Sequence, residues 1–171
     1  MSAEAIPAVH WAIPATAAAV GPARDRVLAH ARSWRYRLDE VEQQMLLLLV
    51  SEMVTNAVLY GRPAGDPNPR IAIGVQPSKG GILVVVRDHS RTAPSHLTAD
   101  PGDEHGRGVS IMQELAASSG WFPVADGKEV YAVMAAVRIP SRAQRRAALL
   151  ERLRAMRPRL RVHPADAMLA A

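Results

Sequence analysis

The chain of 171 residues has no cysteine, one phenylalanine and only 4% aromatic residues. Without cysteine there is neither a disulfide framework nor a thiolate metal site, a pattern that fits a reducing cytoplasm. With so few aromatics, Ala, Val and Leu must build the interior. Trp11, Trp34 and Trp121 are expected as core anchors rather than as a stacking platform. No apolar run approaches the roughly 20 residues that a membrane-spanning helix needs. The Ala-rich start, "MSAEAIPAVHWAIPATAAAV", has no basic residue before Arg24 and is interrupted by Pro7 and Pro14, unlike a signal peptide. A soluble intracellular protein is therefore expected. The histidines at 10, 30, 89, 96, 105 and 163 show no metal-ligand spacing, and no Ser-His-Asp arrangement is suggested. His89 and His105 are expected as exposed loop residues.

The net charge of +5 is unevenly held. Residues 141–171 contain eight arginines against Glu151 and Asp166, so they carry +6, whereas residues 1–140 carry −1. An argument from basicity to nucleic acid therefore concerns the tail alone. The sequence predicts a domain over 1–140 and a basic helix and tail over 141–171. Along "SRAQRRAALLERLRAM" the apolar stripe is Leu149, Leu150, Leu153 and Met156, and it is expected to pack on its own domain, a second copy or a partner helix. A nucleic-acid or membrane-surface contact is the less favoured reading.

Periodicity gives the order of elements. A short strand holds Val9, Trp11 and Ile13, and a helix is predicted from Gly21 to about Leu38. Asp39 with Glu42 has the capping-box pattern and opens a helix over Glu40 to about Tyr60, closed by Gly61 and Pro63. Arg70–Gln76 and Ile82–Arg87 read as a hairpin, and residues 89–105 as a long loop. A helix opens at the Gly106–Gly108 pair, a second hairpin turns at Asp126-Gly127, and the basic helix follows. Lys128 reads most simply as a hairpin-turn residue. Antiparallel strands with helices gathered on one face make an α+β sandwich.

The chemistry is concentrated in three places. In "LLLLVSEMVTNAVLYGRP" Glu52 and Asn56 stand at i and i+4, one turn apart on one face of an otherwise apolar helix. A carboxylate in such a setting is costly unless compensated. Alone, the pair reads as a polar stripe. Asp88 closes the strand "LVVVRD", where a carboxylate can accept from the amine of adenine. "HGRGVSIM" places glycines at a helix start, where backbone N–H groups can approach an anion. Each signal is weak by itself. In this order they support one another: an amide oxygen can hold Mg²⁺ beside phosphate, and a carboxylate one turn away can take a hydroxyl proton.

These residues resemble the GHKL ATPases, the fold shared by histidine kinases and type II topoisomerases. "SEMVTNAVLYG" looks like their N-box, and the likeness covers about residues 8–140. Within that group the chain is most similar to the anti-sigma-factor serine kinases and their stand-alone actinobacterial ATP-binding relatives. The resemblance implies a two-layer α/β sandwich of the Bergerat type that binds Mg-ATP. It makes Glu52 the general base, Asn56 the Mg²⁺ ligand and Asp88 the adenine-binding carboxylate. Gly106, Arg107 and Gly108 become the second glycine box beside the triphosphate, and residues 89–105 the lid. The first glycine box departs from D-x-G-x-G, since the chain reads Asp88-His89-Ser90-Arg91-Thr92. Ser90 stands at the first glycine position, as in some stand-alone relatives, and is placed with the nucleotide-binding residues.

By that resemblance the protein would be an ATP-dependent serine/threonine kinase that binds a sigma factor and phosphorylates a small antagonist protein. Relatives of this type are commonly dimers, which leaves a homodimer open. The alternative is a Bergerat-fold module that sequesters a protein partner without turning over ATP. A third reading is a DNA-associated factor acting through the arginine tail.

Overall fold

The computed structural model describes residues 8–63, 65–94 and 108–155. The chain divides into two units, residues 1–139 and 140–171.

The first unit begins with strand β1, Val9–Pro14, which leads through a 3-10 turn, Ala17–Ala19, into helix α1, Val20–Ser33. Two-residue strand β2, Tyr36–Arg37, precedes helix α2, Glu40–Tyr60. Strands β3, Arg70–Ser78, and β4, Gly81–Asp88, form a hairpin. Helix α3, Gly108–Leu115, is followed by β5, Ser118–Val124, and β6, Gly127–Ala135. Strand β7, Val137–Arg138, pairs antiparallel with β2. The main sheet has the order β1-β3-β4-β6-β5, and every neighbouring pair in it is antiparallel.

Alternation decides which face of this sheet is covered. Ile71, Ile73 and Val75 on β3, Ile82, Val84 and Val86 on β4, and Ala132 and Met134 on β6 are buried. They meet Val27, Leu28 and Ala31 of α1 and Leu46, Leu49, Val50, Met53 and Val54 of α2 in one core. Residues between them in the strands, such as Ala72, Leu83 and Val85, are only half-buried. The result is the expected two-layer sandwich, with its strands on one side and its helices on the other. Among the described residues no helix is long and apolar enough to cross a membrane.

The capping box at the start of α2 is present in full. Glu42 N donates to Asp39 Oδ1 and Asp39 N donates to Glu42 Oε2, both at 2.8 Å. Two orphan N–H groups are thereby satisfied. Helix α1, by contrast, ends at Ser33, five residues earlier than its periodicity suggests. Arg35 adopts φ 66 and turns the chain into β2. Arg138 Nε then donates to Trp34 O at 2.9 Å, and Ile139 N donates to Arg35 O at 2.9 Å. The buried Tyr36 hydroxyl donates to Gly81 O, which ties this small sheet to the large one. Burial pushes the phenol's pKa up.

Trp121 differs from the expected core anchor: it is 39% exposed on the edge strand β5, whereas Trp34 is buried. Trp11 is half-buried, with the Arg26 guanidinium 4.4 Å from its ring centroid.

In the second unit, helix α4 spans Arg142–Ala155. It has a capping box of its own, with Gln144 N donating to Ser141 Oγ at 3.1 Å and Ser141 N to Gln144 Oε1 at 2.8 Å. Leu149 and Leu150 of the expected stripe are 57% and 44% exposed. Met156 lies outside the described residues.

Candidate functional site

Helix α2 supplies the first half of the site. Its length of 21 residues carries a buried seam of Leu46, Leu49, Val50, Met53, Val54, Ala57 and Val58. That seam fixes the helix against the sheet and leaves Glu52 and Asn56 half-buried beside it. Among the described residues neither side chain makes a hydrogen bond or an ion pair, in contrast to Ser51, which donates to Leu47 O at 2.7 Å. Nor is either sealed away, since among the described residues no fully buried side-chain nitrogen or oxygen lacks a partner. Two polar groups one turn apart thus stand partly desolvated and without a partner among the described residues. Burial pushes the Glu52 carboxyl above the usual carboxylate range. A carboxylate so placed is a stronger proton acceptor than a solvated one.

The end of α2 meets the end of β4. Gly61 N donates to Ala57 O at 2.9 Å, and Gly61 O accepts from His89 N at 3.0 Å. Gly61 is therefore more than a helix stop, because a Cβ there would lie 2.7 Å from Asp88 Cγ and nearer still to Asp88 Cβ and the Ala57 carbonyl. Its φ of −99 is open to any residue, so closeness alone demands glycine. Gly61→Ala should cost about 1–3 kcal/mol through overpacking, read as a lower urea midpoint at unchanged slope. A midpoint unmoved by the substitution would mean that helix and strand do not approach this closely.

Asp88 is the second half, and it is not alone. Asp88 and Lys128 are the only buried charged or polar residues among those described, at 3% and 5% exposure. They face one another across the β4–β6 ladder. Lys128 Nζ lies 3.0 Å from both carboxylate oxygens of Asp88. Ser90 N donates to Asp88 Oδ1 at 2.8 Å, and Lys128 Nζ stands 3.5 Å from Ser90 O. Gly127 locks the strands together: its φ is +151, and a Cβ there would collide with the Asp88 carbonyl. Lys128 is therefore a buried counter-ion and not the turn residue its place beside Asp126-Gly127 suggests. The turn itself is Ala125 and Asp126. The missed signal is alternation, since Lys128, Val130, Ala132 and Met134 share one face of β6.

The segment without glycines has an explanation in its own hydrogen bonds. Ser90 N on Asp88 Oδ1 and Thr92 N on Ser90 Oγ, at 3.2 Å, turn the chain by side-chain-to-backbone bonds. Among the described residues Arg35 is the only non-glycine at positive φ, so residues 88–92 never need a glycine's freedom. His89 is exposed, as expected, with Nε2 3.1 Å from Arg70 O.

The structure thus brings Asp88 against the C-terminal end of the helix that carries Glu52 and Asn56, with Ser90 attached to Asp88. Gly108 is the first residue of α3, which packs on α2. Gly106, Arg107 and most of the expected lid, residues 95–105, lie outside the described residues. Among those described, no group of three His, Cys, Asp or Glu side chains forms a metal cluster. A cation here would depend on an amide such as that of Asn56 together with oxygens from a ligand and water.

None of the curated proteins matches the chain. A family model for the histidine kinase-like ATPase domain matches residues 13–134, which runs from the end of strand β1 almost to the end of β6 and takes in Glu52, Asn56, Asp88 and Lys128. With the antiparallel sheet under its helices and the polar pair on α2, the chain belongs to the histidine kinase-like ATPase domain family, whose ligand is ATP.

Proposed function

We propose that the protein is an ATP-dependent regulator of the anti-sigma-factor kinase type, which binds a sigma factor and phosphorylates a serine or threonine on a small antagonist protein. The observation that carries this reading is the pair Glu52 and Asn56, half-buried one turn apart and unpartnered among the described residues. Glu52 takes the proton from the attacking hydroxyl. The hydroxyl oxygen bonds to the γ-phosphorus, the bond from that phosphorus to the β–γ bridging oxygen breaks, and ADP leaves with the electron pair. Asn56 fits a magnesium ligand because its amide is free and not sealed from a ligand. When bound, Mg²⁺ would supply charge neutralisation on the phosphate oxygens. Asp88 accepts from the adenine amine, and Gly106, Arg107 and Gly108 hold the phosphate tail at the start of α3. Catalysis is mainly positioning and charge stabilisation.

Calorimetry of ATP binding tests the assignment of Asn56. Asn56→Ala should weaken affinity in the presence of magnesium on the order of tenfold and leave the magnesium-free affinity unchanged. Equal magnesium-dependent affinity in both chains would remove Asn56 from the site.

One observation favours a second reading, a module that sequesters a partner without turnover: Asp88 is already engaged by Lys128. Incubation with γ-labelled ATP and candidate antagonist proteins, with Glu52→Ala as control, separates the two. Label transferred by the unaltered chain and not by the variant supports the kinase.

A further inference from the structure

Deepening that reading, and resting on Asp88 as the group that meets the base, we propose that Lys128 is a specificity-determining residue that lets the site take 6-oxopurine triphosphates as well as ATP. A carboxylate alone offers only acceptors. It suits adenine, whose 6-amino group donates, and repels the carbonyl that stands at that position in hypoxanthine or guanine. The Asp88–Lys128 pair offers acceptors and donors side by side. Adenine presents an amine donor next to the N1 acceptor, and hypoxanthine presents a carbonyl acceptor next to the N1–H donor. Either edge finds a complement in a carboxylate paired with an ammonium.

The capacity for both is visible in the bonds already made. Asp88 Oδ1 accepts from Ser90 N and from Lys128, whereas among the described residues Oδ2 has only the ion-pair contact of the Lys128 ammonium at 3.0 Å. A carboxylate oxygen has about two lone-pair sites, so Oδ2 keeps one for a base donor. The ammonium has three protons. One is donated to Asp88 Oδ1, Oδ2 lies 3.0 Å away as an ion-pair contact, and among the described residues the ammonium's only other contact is the long 3.5 Å one to Ser90 O. That contact is at the weak limit of a hydrogen bond and is readily exchanged for a base carbonyl. Because the ammonium ends a flexible four-carbon stem, it can turn a proton there without leaving Asp88.

The test is calorimetry on the full chain with Mg-ATP and Mg-ITP as probes at one salt concentration. The unaltered chain should bind the two within about tenfold of one another, because neither base leaves a buried polar group unpaired. Lys128→Met should weaken ITP relative to ATP on the order of 100-fold, since the carbonyl then faces an unshielded carboxylate. Lys128→Arg, which keeps the donor, should restore ITP binding. ATP binding by the unaltered chain with ITP rejected by more than about 100-fold would overturn the proposal and leave the ATP reading standing. A folded Lys128→Met chain that still accepts ITP would equally overturn the part given to Lys128. Failure of both nucleotides to bind would sink the reading of the site along with the proposal. The ratio in the unaltered chain decides even where a variant does not fold.

Discussion

Asp88→Ala is expected to remove about 3–5 kcal/mol of folding stability, because it strands the Lys128 ammonium in the core with no anion beside it. Lys128 is 5% exposed, and among the described residues Asp88 is the only acidic group that an ion pair joins to it. For a chain of this size the loss amounts to a fall in Tm on the order of 10 °C. Lys128→Met should cost a similar amount by stranding the carboxylate instead. The double variant, Asp88→Ala with Lys128→Met, should be far less harmful than the sum of the two, because an apolar pair in that place removes the uncompensated charge altogether. Urea unfolding of all four chains at neutral pH gives the coupling directly. Additive losses would show that the two charges do not depend on one another. The pair is thus weak evidence for stability as such, since an apolar pair of similar volume could fill the same place.

The elements legible in the sequence were those with a period or a cap. Helix α2 announced itself by its apolar seam and by Asp39 and Glu42, and both hairpins by alternation and turn residues. Two kinds of feature were not legible. The β2–β7 ladder is two residues long on each side, too short for any period, and it forms because residues 36 and 138 meet across the fold. Arg35 at φ 66 ends α1 without the glycine or asparagine that would have marked the place. The site divides in the same way. The placement of Glu52 and Asn56 one turn apart on α2 was readable because helical spacing is local. Lys128 was misread because its partner stands 40 residues earlier and only strand pairing brings them together. Ser90 was readable as a glycine substitute only through the resemblance. The bond from its N–H to Asp88 Oδ1 shows how the chain turns there without a glycine.

Glu52→Gln is expected to lower phosphoryl transfer by about 10²–10⁴-fold, the usual share of a positioned general base, while leaving ATP affinity nearly unchanged. The same change should stabilise the fold near neutral pH. Burial raises the Glu52 pKa in the folded chain, so between the ordinary carboxylate value and the raised one the folded state holds more protons than the unfolded state. Stability contributed at this position therefore declines as pH rises through that window. Glutamine, which never ionises, escapes the decline. The Tm of Glu52→Gln should exceed that of the unaltered chain at about pH 7.5 and approach it at about pH 4, below the window. Transfer by the unaltered chain should rise with pH through the same window, since only the ionised carboxylate can take the proton. A glutamine variant less stable than the parent at both pH values would mean that the carboxylate is held by a partner. Full transfer activity in a folded Glu52→Gln chain would take the proton-accepting role away from Glu52. Gain in stability with loss of transfer is the combination expected of a group kept half-buried for chemistry, because a residue serving only the fold would lose on both counts.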